Sequence, residues 1–118
     1  IQAWDMNRGE EVWSVEFQSH NWGGILTTGG NLIFSGGTSD RFFRAHDATT
    51  GEEVWRFRTN SGIIGVPSTF SVEGKQYVAV QSGWGVDAAG MTARIDQQRG
   101  TRTFVPQGGV VWVFALPD

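Results

Sequence analysis

Ala45-His46-Asp47-Ala48-Thr49-Thr50-Gly51-Glu52-Glu53-Val54-Trp55 decides the fold, because residues 3–13 repeat it. Ala3-Trp4-Asp5-Met6-Asn7-Arg8-Gly9-Glu10-Glu11-Val12-Trp13 is identical to it at seven of eleven positions, at an offset of 42 residues. Within each copy an apolar strand runs into an aspartate, the turn closes on a glycine and a second strand resumes toward a tryptophan. Asp47 can accept hydrogen bonds from backbone N–H groups two or more residues on, and Gly51 can take the positive φ that ends the turn. Each copy therefore reads as a β-hairpin, with Trp55 packing against a neighbouring sheet. A period of about 40–50 residues carried by strands is the length of one four-stranded propeller blade.

Working outward, Gly24 to Thr28 and Asn31 to Ser35 are strands joined at Gly29-Gly30, a hairpin signal. Arg41 to His46 and Glu53 to Arg58 complete four antiparallel strands, so residues 24–58 are one whole blade. Residues 1–17 hold the end of the preceding blade. Residues 66–116 form a final, incomplete blade, with strands over 66–72, 76–81 and 109–116 and a turn at Glu73-Gly74-Lys75. The polar segment 86–107 lacks period-two alternation and is expected as a long loop, with a helical turn near residues 88–95 capped by Asp87. The fold class is all-β, about one and three-quarter blades of a propeller, and such a piece cannot close on itself. Residues 1–17 and 109–116 are expected to pair with polypeptide outside this chain.

Composition agrees with this class. Six tryptophans and eight phenylalanines among 118 residues exclude a disordered chain, and 17 glycines suit many short strands and tight turns. No apolar run approaches the roughly 18 residues of a membrane-spanning helix. Nine basic residues against twelve acidic ones, with the basic ones scattered, argue against a nucleic-acid partner. Zero cysteine excludes a disulfide, a thiolate metal site and a cysteine nucleophile within these residues. The chain opens on Ile1-Gln2-Ala3 with no basic or apolar leader, which reads as an internal start. His20 and His46 have no second ligand at metal-like spacing and read as surface or packing residues.

The ordered motifs Trp22-Gly23-Gly24-Ile25-Leu26-Thr27-Thr28, Ala45 to Trp55, Ser61-Gly62-Ile63-Ile64-Gly65, Gly74 to Val80, Ser82-Gly83-Trp84-Gly85 and Gly108 to Leu116 span essentially the whole chain. Through them the sequence resembles the pyrroloquinoline quinone (PQQ)-dependent methanol and ethanol dehydrogenases, at the carboxyl-terminal end of their eight-bladed propeller. The resemblance implies a periplasmic oxidoreductase in which calcium or a lanthanide polarises PQQ and an aspartate takes the proton of a primary alcohol or polyol. Electrons then pass to a cytochrome c-type acceptor. It also implies that the remaining propeller polypeptide is a partner, and it allows a homodimer. The family's metal ligands, catalytic aspartate and paired cysteines lie upstream, so no catalytic or metal-binding residue is carried over.

Cofactor-binding residues are carried over. Trp22 matches a family tryptophan beside PQQ, and Trp84 matches one that helps wall the pocket, between glycines that let backbone approach a ligand. Backbone N–H groups at Gly85 and Val86 are expected to reach a PQQ carboxylate or carbonyl. The segment from Val86 to Met91 departs from the calcium methanol dehydrogenases toward the ethanol or polyol branch. Arg94, Arg99 and Arg102 are candidates for a substrate entrance, against the plainer reading of three solvated side chains. The competing function is a non-enzymatic propeller that scaffolds protein assembly; Trp22 together with Gly83-Trp84-Gly85 favours the enzyme, since a scaffold needs neither.

Overall fold

The computed structural model describes residues 1–118. Nine strands fall into sheets of two, four and three. The first sheet pairs β1 (Gln2–Asp5) with β2 (Glu10–Ser14). The second is the meander β3 (Ile25–Thr27), β4 (Leu32–Ser35), β5 (Phe42–Asp47) and β6 (Glu53–Arg58). The third orders β7 (Ser68–Val72), β8 (Lys75–Ser82) and β9 (Val110–Ala115), with every pairing antiparallel. A complete blade and three-quarters of another follow the two-stranded end of a third.

The sequence repeat is a structural repeat down to its irregularities. Ala3 pairs with Trp13 and Ala45 with Trp55, and each ladder shifts register just after that alanine. Asp5 Oδ1 accepts from the backbone N–H groups of Asn7 and Arg8, as Asp47 Oδ1 accepts from those of Thr49 and Thr50. Gly9 and Gly51 both take positive φ, 65° and 77°. Trp13 then docks on the turn of the next blade. Its Nε1–H donates to the Ala48 carbonyl at 3.0 Å, and a Cβ added at Gly51 would stand 2.7 Å from its ring. Blade-to-blade contact therefore requires both glycine's backbone freedom and its missing side chain.

The core lies between the second and third sheets, where Phe43 and Ile63 are fully buried beside Val78 and Val80. Phe43 stacks on Phe34 and on Phe114, each at 5.8 Å between centroids. Trp55 meets Phe114 edge-on at 5.1 Å, so it does pack against the neighbouring sheet, yet 38% of it remains exposed. Trp84, at 5%, is the buried tryptophan.

Four local expectations change. The turn after β3 places Asn31, not a glycine, in the left-handed region (φ 64°), and Asn31 N–H donates to the Thr28 carbonyl. Strand β9 pairs with β8 inside this chain, not only with outside polypeptide. Residues 86–99 are no loop: they form α1 (Val86–Arg99), a helix of 14 residues. Its N-cap is Gly85, and Asp87 sits inside the first turn instead of capping it. Alanine, methionine, glutamine and arginine favour this helix, Asp87 and Arg99 complement its dipole, and Gly100 ends it in left-handed conformation (φ 65°). No helix is long and apolar enough to cross a membrane.

Candidate functional site

The segment before β3 brings in Trp22. Its backbone N–H donates to the Gly37 carbonyl at 3.0 Å, and the Asn21 side chain accepts from Gly23 N–H at 3.1 Å. The backbones here touch, since a Cβ on Gly23 would lie 2.1 Å from the Gly36 carbonyl oxygen. This contact fixes the chain on both sides of the indole. His20 lies over Trp22 with ring centroids 6.0 Å apart.

Trp84 is held from the opposite side, between β8 and α1. Gly83 N–H donates to the Gly62 carbonyl at 2.7 Å, and Gly62 lies so close that an added Cβ would fall 1.6 Å from Cε3 of the ring. The two indoles, 62 positions apart in sequence, line one cavity of about 590 Å³. That volume is within the usual range for small-molecule sites, roughly 300–1,000 Å³. Gly85 and Val86 stand at the start of α1 beside this cavity's Trp84, but neither is among its lining residues, and the Val86 side chain is exposed.

One wall of the cavity is a charged network. Arg44, nearly buried, pairs with Asp40 and, at 3.3 Å, with Glu53, which also holds Arg56 at 2.6 Å. Thr38 Oγ1 accepts from Arg44 at 2.9 Å, and Phe17 and Phe42 lie against the guanidinium at 5.2 and 5.3 Å. Burial alone would raise the Asp40 pKa; the hydrogen bonds from Arg44 and Thr38 overcome it and hold the carboxyl below its usual range. His46 is buried behind this wall, edge-on to Phe17, with its Nδ1 unpartnered. Burial, reinforced by Arg44 and opposed by Glu53, pushes its pKa down, so the imidazole is neutral near pH 7. No three His, Asp or Glu side chains are grouped to hold a metal ion.

The opposite wall is α1 and the strap that follows it. Asp96 Oδ1 accepts from the hydroxyls of Thr101 (2.6 Å) and Thr103 (2.8 Å), and its Oδ2 accepts from Thr103 N–H (2.7 Å). These bonds, the Thr101 hydroxyl foremost, keep the Asp96 pKa low. They fold the strap back beside the helix end, so Arg99 and Arg102 join the lining while Arg94 does not. The sequence reading singled out these arginines and both tryptophans but missed Asp96, Arg44 and Phe17. An aspartate with threonines five and seven residues on, across a glycine, was the available signal for the strap.

Residues 1–78 match the family model for the β-propeller domain of glucose, ethanol and alcohol dehydrogenases that use PQQ. The chain belongs to this family. It is 42% identical over 117 residues to the quinoprotein alcohol dehydrogenase PedH of Pseudomonas putida, covering 99% of this chain and 19% of that protein. To the quinohemoprotein alcohol dehydrogenase of Comamonas testosteroni it is 44% identical over 103 residues, 87% of this chain and 14% of that one. A europium-containing methanol dehydrogenase superposes with a TM-score of 0.74 at 34% identity, over 96% of this chain and 22% of that one. The chain thus spans about a fifth of the length of the relatives it matches, and its sheets are blades of a quinoprotein propeller.

Proposed function

We propose that these residues are part of a periplasmic quinoprotein that oxidises primary alcohols or polyols with PQQ and a calcium or lanthanide ion, passing electrons to a cytochrome c-type acceptor. Within it, this segment supplies blade scaffold and part of the PQQ pocket wall. One observation carries the reading: Trp22 and Trp84, from different blades, converge on a single cavity. A scaffold propeller has no use for that convergence.

The residues present fit the cofactor. PQQ is a flat, polyanionic quinone, and the cavity offers two indoles for its faces and edges, each locked by glycine contacts. The N–H groups of Gly85 and Val86, next to Trp84 but outside the cavity lining, begin a helix with no side-chain cap, and such N–H groups have no intrahelical acceptor, so they suit a carboxylate or carbonyl oxygen. When bound, PQQ supplies the two-electron acceptor for alcohol oxidation. The chain's own residues orient and enclose. Trp84 and Trp22 would hold the quinone and shield it from water when it is bound, while the Arg44 network keeps its wall rigid without contributing a proton acceptor, because its carboxylates Asp40 and Glu53 are both paired. Metal ligands and the catalytic base belong to polypeptide beyond this segment.

The remaining propeller is the first partner. The radius of gyration is 15.5 Å, against about 13.5 Å for a compact domain of this length. Val111, Val113 and Leu116 on or beside β9, like Val54 on β6, lie exposed as blade faces do before a neighbour covers them. The test uses the full-length polypeptide carrying this segment. Reconstituted with PQQ and calcium or a lanthanide, it is expected to reduce an electron-accepting dye with a primary alcohol, whereas residues 1–118 alone give no turnover. Activity without PQQ, or comparable turnover by the isolated segment, would overturn the assignment.

A further inference from the structure

Of the eight charged side chains that line the cavity, most are spent on one another. Asp40 and Glu53 are taken by Arg44 and Arg56, and Asp96 is saturated by Thr101 and Thr103. Glu16 makes no ion pair, and neither do Arg99 and Arg102. The two arginines bracket the left-handed Gly100 turn, which Asp96 ties down, so their backbones are fixed while their guanidinium groups have no protein acceptor. Arg99 also stands at the carboxyl-terminal end of α1. A planar guanidinium binds a carboxylate through two parallel N–H···O bonds, a geometry no neutral alcohol can use. Four carboxylates and four arginines balance over the whole lining, but the α1 side sets Asp96 alone against Arg99 and Arg102 and so carries one more positive charge than negative, opposite the Arg44 wall.

We propose that Arg99 and Arg102 are specificity-determining residues that favour alcohols carrying a carboxylate at the end remote from the hydroxyl. The inference rests on the alcohol-dehydrogenase reading and narrows its substrate class to hydroxy acids. The carboxylate docks on the strap and the carbinol end points toward Trp22 and Trp84. Oxidation takes two electrons and two protons from the carbinol group, giving the aldehyde and converting the bound quinone to its quinol; the carboxylate leaves unchanged.

The experiment compares 4-hydroxybutyrate with 4-hydroxybutyramide, its neutral match in shape, as substrates of the full-length protein loaded with PQQ and calcium or a lanthanide. The wild type is expected to prefer the acid in kcat/KM, and Arg99→Gln with Arg102→Gln to reduce that preference on the order of tenfold or more, the worth of one or two charge-assisted hydrogen bonds. Arg99→Lys should restore part of it. Arg94→Gln, on the same helix but off the cavity, should leave the ratio unchanged. Butyrate, which has no hydroxyl to oxidise, should quench tryptophan fluorescence in the wild type and lose that effect in the double variant. Equal ratios in wild type and double variant, with amide turnover intact, would overturn the proposal alone. Loss of quinone absorbance from the double variant would also overturn it, by assigning the arginines to the cofactor. Turnover of a plain primary alcohol but of neither test substrate would overturn the proposal alone, whereas turnover of no alcohol at all would remove the dehydrogenase reading as well.

Discussion

Gly62→Ala is expected to unseat Trp84 and to strip one wall from the cavity proposed to hold the quinone. The added Cβ would lie 1.6 Å from Cε3 and 2.2 Å from Cζ3 of an indole that is 5% exposed. Neither partner has room to retreat. Gly62 is tied to Gly83 by a 2.7 Å backbone hydrogen bond, and Trp84 leads directly into the first turn of α1. Overpacking of a tight core costs typically about 1–3 kcal/mol, and an overlap this deep belongs at or above the upper end. Thermal unfolding of the full-length protein should show the loss, and quinone absorbance after gel filtration should fall with it. Unchanged stability and retention would mean that the Gly62–Trp84 contact has no part in the pocket.

The second large effect is the contrast between Trp84→Ala and Trp55→Ala. From sequence, Trp55 is expected to pack and Trp84 to wall the pocket; in the structure Trp84 is also the buried tryptophan, besides lining the cavity. Removing a buried tryptophan costs about 3–5 kcal/mol, and here it also opens the cavity between Trp22 and the strap. Quinone should be lost at least about tenfold faster, one such factor being worth 1.4 kcal/mol. Trp55 is 38% exposed and contributes edge contacts to Phe43 and Phe114, so its removal should cost about 1–2 kcal/mol, chiefly aromatic pairing, with quinone retention kept. Denaturant unfolding and quinone retention, measured on both variants, check the two halves separately. If Trp55→Ala lost the quinone while Trp84→Ala kept it, the assignment of the pocket wall would be wrong.

What was legible in the sequence was what is local. The Asp-to-Gly turn and its flanking strands are determined within eleven residues, so one repeat was enough to read the hairpin, its turn residues and the blade period from Ala45 to Trp55, while the register shift after Ala45 showed only in the ladder itself. The helix was legible only as one turn near residues 88–95, and its full length was hidden for a physical reason. It buries only Ala88, carries little apolar periodicity, and is held by its ends and the Asp96 strap instead of by a hydrophobic stripe. Exposure of the tryptophans was equally hidden, because Trp55 and Trp84 differ in what lies across from them, not in their own neighbours in sequence. Trp22 and Trp84 were expected through resemblance to face one pocket, and they line one cavity, while the arginines without partners on its far wall emerge only when two blades and α1 are assembled.

The most direct measurement is a crystal structure of the full-length protein with PQQ bound. The expected result is the Trp22 and Trp84 rings in van der Waals contact with the quinone or its carboxylates, with the first-turn backbone of α1 alongside. A quinone seated elsewhere in the propeller, with the cavity between Trp22, Trp84 and the Asp96 strap left to solvent, would contradict it.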